Sequence, residues 1–105
     1  MYGGKVMNIR INAVRFDADT KLEKFIEKKV NKLGKYFDEI INAEVFLKLE
    51  NSQDTENKVV EIRLDVPGSD LFARKQSKTF EESTDNVVDA LKQQILKRKE
   101  KTRGI

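Results

Sequence analysis

Between Phe80 and about Arg103 the residues Phe80, Thr84, Val87, Val88, Leu91 and Ile95 recur at steps of three and four, so they share one face of a long helix. In its second half the character changes. Lys92, Lys97, Arg98, Lys99, Lys101 and Arg103 point in nearly all directions, with only Glu100 against them. A helix that is apolar on one side and then basic all round docks by its first turns and carries its end into solvent as a charged arm. Its single stripe needs a flat apolar surface to lie on, which restricts the chain to architectures that supply one.

That surface is legible as four strands. Asn8 to Val14 alternates, with Ile9, Ile11 and Ala13 on one face and Arg10 and Asn12 on the other. Asn42 to Glu50 turns Val45, Leu47 and Leu49 inward. Lys58 to Val66 turns Val60, Ile62, Leu64 and Val66 inward and Glu61, Arg63 and Asp65 outward. Pro67-Gly68 suits a tight turn, since proline presets φ and glycine accepts a positive one. Ser69 to Ser77 is a weaker fourth strand through Leu71 and Ala73, and Thr79 is placed to cap the final helix. Asn51 to Asn57 reads as a polar loop.

A second helix lies between the first two strands. Asp17 or Asp19 caps it, and from Thr20 to about Phe37 the residues Leu22, Phe25, Ile26, Val30, Leu33 and Phe37 form its apolar stripe. Lys21, Lys24, Lys28, Lys32 and Lys35 form another stripe on a different side. Five lysines in line repel by a few tenths of a kcal/mol per neighbouring pair, a cost that an anionic partner removes. The order β-α-β-β-β-α predicts an α+β, two-layer open-faced sandwich, with a four-stranded sheet and both helices on one face. Strands one and two should be parallel neighbours, followed by an antiparallel meander. Met1 to Val6 lacks periodicity and reads as a disordered leader or an expression remnant, leaving residues 7–105 as one domain.

Composition removes several function classes. The 105 residues contain no cysteine and no histidine, so thiol nucleophiles, imidazole bases and the usual zinc ligands are missing. No acid pair stands at a telling spacing, and no Gly-rich phosphate loop occurs. The chain reads as a non-enzyme without cofactor, metal or small-molecule substrate. No apolar run reaches the roughly 18 residues that a membrane span needs, and a cytoplasmic location is the simplest account. Net charge is only +3, but it is sorted. The acids Asp38, Glu39, Glu44, Glu50, Asp54, Glu56 and Glu61 meet only Lys48 and Lys58, while the helices are lysine-rich. Lysine stripes suit phosphate contacts, which give affinity and orientation and leave base identity unread. On the sheet face away from the helices, Phe46, Val59 and Phe72 are candidates for base stacking or a protein contact, against the simpler reading of cross-strand packing.

Two runs carry a resemblance. Lys32-Leu33-Gly34-Lys35-Tyr36-Phe37-Asp38-Glu39-Ile40, with Ala43-Glu44-Val45-Phe46-Leu47-Lys48-Leu49-Glu50 after it, resembles the first half of the ribosome hibernation promoting factors and ribosome-associated inhibitors. The run Asp85 to Lys99 is similar to their second helix, and the similarity spans Met7 to about Lys101. The resemblance implies a fold related to double-stranded-RNA-binding domains. It also implies a partner, the small ribosomal subunit with its ribosomal RNA within the whole ribosome, and occupation of the messenger and transfer RNA channel under stress or in stationary phase. By position it places Lys28, Lys29, Lys32, Lys92, Lys97, Arg98 and Lys101 on RNA phosphates. Together with the basic stripes, the expected RNA-binding set is Lys21, Lys24, Lys28, Lys29, Lys32, Lys35, Lys92, Lys97, Arg98, Lys99, Lys101 and Arg103, on a chain that is monomeric when free. The chain departs from the family pattern at Thr79-Phe80-Glu81, Lys75 and Gln93, and it stops just past the helix, like a short form. The alternatives are a generic structured-RNA-binding module and a protein-interaction module that uses the open sheet face.

Overall fold

The computed structural model describes residues 7–50 and 55–103, the last four of them as helix backbone only. The leader expected over residues 1–6, and most of the polar loop, lie outside the described residues. Strands β1 (Asn8–Ala13), β2 (Asn42–Leu49), β3 (Lys58–Val66) and β4 (Ser69–Ser77) form one sheet in the order β1-β2-β3-β4. Helix α1 (Thr20–Asn31) links the parallel pair β1 and β2, and α2 (Phe80–Arg103) follows β4. The other pairings are antiparallel, with Val45 opposite Ile62 and Ile62 opposite Ala73. The α+β sandwich and its strand order are those expected.

One apolar layer holds the helices to the sheet. Ile26, Val30 and Leu33 meet Val87, Leu91 and Ile95 over Ala43, Val45, Leu47, Val60, Ile62 and Leu64, all fully buried. At 20–33 cal/mol per Å² of apolar surface removed from water, this layer is the principal stabilising term. Met7 joins it ahead of β1. Of the two candidates for the first cap the structure takes Asp19, whose Oδ1 accepts from Leu22 N at 2.8 Å, and the expected cap at Thr79 forms, its Oγ1 accepting from Glu82 N at 3.0 Å. The start of α2 is fixed further by Ser83, whose buried hydroxyl lies 2.6 Å from the Lys58 carbonyl and 2.7 Å from Ser77 Oγ. The rings of Phe16 and Phe80 stack at 5.3 Å across the helix starts. Gly68 takes the positive φ expected of the turn, at 87°.

Three expectations are corrected. The first helix does not run unbroken to Phe37: α1 ends at Asn31 and Lys32–Lys35 is a 3-10 turn, in which Tyr36 N and Phe37 N both donate to the Leu33 carbonyl. Gly34, the poorest helix former after proline, sits inside that turn. Leu49 is not inward but 52% exposed, because β2 runs on past the cover of the helices. Val59 faces away from the helices as expected, yet its exposure is 0%. Its cross-strand neighbours Lys48 and Gln76 flank it, and Gln76 bonds the Glu56 carbonyl at this end of the sheet.

The strand directions fix the helix directions. β1, β2 and β4 run one way, so α1 and α2 both return the other way, side by side. Their carboxyl ends therefore lie at the same end of the molecule, beside the β3–β4 turn.

Candidate nucleic-acid interface

The arrangement of the helices gathers the basic residues by position along the axis. The first turns hold Glu23, Glu81 and Glu82. The last turns hold Lys28, Lys29, Lys32 and Lys35 on α1 and its 3-10 extension, and Lys97 and Lys99 on α2. This distribution suits the helix dipoles, which favour acids at the amino end and bases at the carboxyl end. Lys21, Lys24, Lys28, Lys32, Lys35, Lys97 and Lys99 are exposed, and among the described residues they enter no ion pair. Lys21 stands in the first turn of α1, roughly 16 Å along the axis from Lys32 at 1.5 Å per residue. The structure thus groups the carboxyl-terminal lysines and leaves Lys21 and Lys24 toward the acidic end.

Among the ten expected residues whose side chains are described, three have partners within the fold. Lys29 Nζ lies 3.2 Å from Asp85 Oδ1 and 5.4 Å from the centre of the Phe25 ring, tying α1 to α2. Lys92 Nζ sits 4.8 Å from the centre of the Tyr36 ring. Arg98 corrects the expectation of a basic arm standing free on all sides. Its guanidinium donates to the Pro67 carbonyl at 2.6 Å and to Ser69 Oγ at 2.9 Å, and its carbon lies 5.9 Å from the centre of the Phe37 ring. Gln94, one turn earlier, donates to the Phe72 carbonyl on β4 at 2.9 Å. These contacts fasten the second half of α2 across the β3–β4 turn. Position explains it: Arg98 follows Ile95 by three and Leu91 by seven, so it continues the apolar stripe. Lys97 lies about 140° round the helix from Lys92 and so leaves the α1 side of α2. Lys101 and Arg103 continue the helix, with side chains outside those described.

The opposite sheet face is electrically closed. Arg63 pairs with Glu44 and Asp70, Lys48 with Glu61, and Arg74 bridges Glu61 and Glu50 at 3.2 and 3.1 Å. A polar hollow of 380 Å³ opens among Asn8, Arg10, Asn42, Arg63, Asp65 and Asp70. Phe72 is 51% exposed here and Phe46 half-buried. The exposed unpaired cations and this ion-paired lattice occupy opposite sides of the sheet.

Residues 9–103 match the family described as sigma 54 modulation protein / S30EA ribosomal protein. The chain belongs to this family. It is 26% identical over 99 residues to a ribosome hibernation promoting factor of Pseudomonas putida, covering 94% of this chain and 93% of that one. It is 32% identical to the ribosome hibernation promotion factor of Bacillus subtilis, covering 90% of this chain and 50% of that longer one. A ribosomal subunit interface protein from Coxiella burnetii has a similar structure, with a TM-score of 0.79 at 25% identity, over 89% of this chain and 98% of that one. Membership in this family accounts for the resemblance carried by Lys32–Ile40 and Asp85–Lys99. Sequence reasoning placed Tyr36 in the resembling run but not in the site, and Phe16 in neither; the exposure of Tyr36 on the basic side becomes visible only once the 3-10 turn is in place.

Proposed function

We propose that this member of the S30EA family is a non-enzymatic ribosome hibernation factor. It is a cytoplasmic protein that occupies the messenger and transfer RNA channel of the small subunit, with basic side chains of both helices on ribosomal RNA phosphates. The observation that carries the reading is the gathering of exposed, unpaired lysines at the carboxyl ends of two side-by-side helices, on a chain whose other sheet face is neutralised by its own ion pairs. Relatives named as hibernation factors supply the biological direction. Lysine ammonium groups are mobile point charges that suit backbone phosphates on a shaped RNA surface and carry no sequence code. The working set is Lys28, Lys32, Lys35, Lys97 and Lys99, with Lys21, Lys24, Lys101 and Arg103 extending it.

Co-sedimentation with purified small subunits, whole ribosomes and naked RNA duplex across a salt series tests this. A variant with Lys28, Lys32, Lys97 and Lys99 replaced by glutamate leaves Arg98 and the fold untouched. Expected are ribosome-selective binding, its loss in the variant, and displacement by messenger or initiator transfer RNA. Each phosphate contact removed should lower the slope of log affinity against log salt by about one. Equal binding to naked duplex would reduce the chain to a generic RNA binder, and binding indifferent to all four substitutions would reject the lysines as the interface.

A further inference from the structure

Tyr36 follows the 3-10 turn and is 37% exposed, whereas Phe37 beside it packs against the core. The ring of Tyr36 adds nothing to the apolar layer and stands on the basic side of the molecule. Lys92 Nζ covers it at 4.8 Å from α2. Lys32 and Lys35 flank it on its own segment, and Lys99 follows Lys92 by seven residues, on the same side of α2. Leu96, one turn beyond Lys92, is 38% exposed. An aromatic plane covered by one lysine ammonium is therefore set between the two helices, with Lys32, Lys35 and Lys99 exposed on the neighbouring turns.

We infer that Tyr36 is a stacking platform for one unpaired nucleobase, with Lys32, Lys35, Lys92 and Lys99 holding the phosphates around it. The inference rests on the RNA-binding reading above and deepens it: the RNA recognised carries an extruded base at this point and is not a smooth duplex. Every base has a π face, so stacking tolerates any sequence, and a regular duplex keeps its bases out of reach. With the Lys92 ammonium on one face of the ring, the base meets the other. An apolar protein partner fits poorly, because seating it would strip water from four ammonium groups without giving them counter-charges.

The test uses the full chain with purified small subunits and compares Tyr36→Phe, Tyr36→Leu and the unsubstituted protein across a salt series. Tyr36→Leu should weaken binding about tenfold, with the salt slope unchanged because no phosphate contact is lost. Tyr36→Phe should stay within about twofold, since the stacking plane remains. Tyr36→Phe should melt with the unsubstituted protein and Tyr36→Leu only slightly lower, since it loses the Lys92–ring contact and no part of the core. Zero-length ultraviolet crosslinking should join the Tyr36 peptide to a nucleotide. Full affinity in Tyr36→Leu, a changed salt slope, or a crosslink to a ribosomal protein would overturn the inference while leaving the lysine interface standing. Failure of the unsubstituted chain to bind small subunits at all would remove both readings together.

Discussion

Arg98 separates a residue that builds the interface from one that would merely belong to it. Its hydrogen bonds to the Pro67 carbonyl and Ser69 Oγ and its position over Phe37 hold the second half of α2 against the β3–β4 turn. A hydrogen bond to a charged group contributes about 1.5–3 kcal/mol net when well buried, and an exposed cation–π contact about 0.5–1 kcal/mol. Arg98 is half-buried, and water replaces part of what is lost. Arg98→Ala should therefore cost about 1–2 kcal/mol, or roughly 5–10 °C in Tm for a domain of this size. Neighbouring Lys97 is exposed and unpaired, so Lys97→Ala should change stability by less than about 0.5 kcal/mol. Urea unfolding followed by circular dichroism measures both, with equal slopes confirming that the unfolding reaction is the same. Arg98→Lys should recover little, because an ammonium does not reproduce the fork that reaches two acceptors. If Arg98→Ala and Lys97→Ala were equally stable, the latch would contribute nothing and Arg98 would return to the pool of proposed RNA contacts.

Other outcomes follow from the same structure. Asp19→Ala and Thr79→Ala each remove a helix cap and should each cost about 1 kcal/mol. The two sites are on separate helices, so the double variant should show near-additive loss in thermal melts. Phe46→Ser with Phe72→Ser alters only the sheet face away from the helices, and co-sedimentation with small subunits should be unchanged; a loss of binding there would move the interface to that face. Lys29→Ala breaks the contact with Asp85 between the helices, a partly exposed pair whose removal should cost no more than about 1 kcal/mol, read from the same urea titration.

The strand boundaries were legible because period-two alternation over β3 and β4 is interrupted only by Pro67-Gly68, whose chemistry demands a turn. The start of α2 at Phe80 was legible for a similar reason, as was the first cap to within the choice of Asp17 or Asp19, since each is a local decision. The end of α1 was not. A 3-10 turn preserves steps of three and four, so Leu33 and Phe37 keep the apolar rhythm of a helix while the hydrogen bonds tighten beneath it. The side that Val59 faces was legible but its burial was not, because outward alternation predicts the side of the sheet, and not what neighbouring long side chains cover. Arg98 was legible in principle, since it occupies the next place in the stripe of Leu91 and Ile95, but its charge masks that periodicity among the surrounding lysines. Of the candidate site, the lysine stripes could be read from spacing. Their convergence could not, because it depends on two helices sharing a direction, which is a property of the sheet.

That shared direction gives the molecule an electrical axis. Glu81 and Glu82 stand at one end of the helices and the lysine cluster at the other, while the lattice of Arg63, Arg74, Glu44 and Glu61 adds almost no field of its own. Near a polyanion such a body feels a torque as well as a pull. It turns its lysine end forward while still separated by a Debye length or more, about 8 Å at physiological salt, and arrives already aimed.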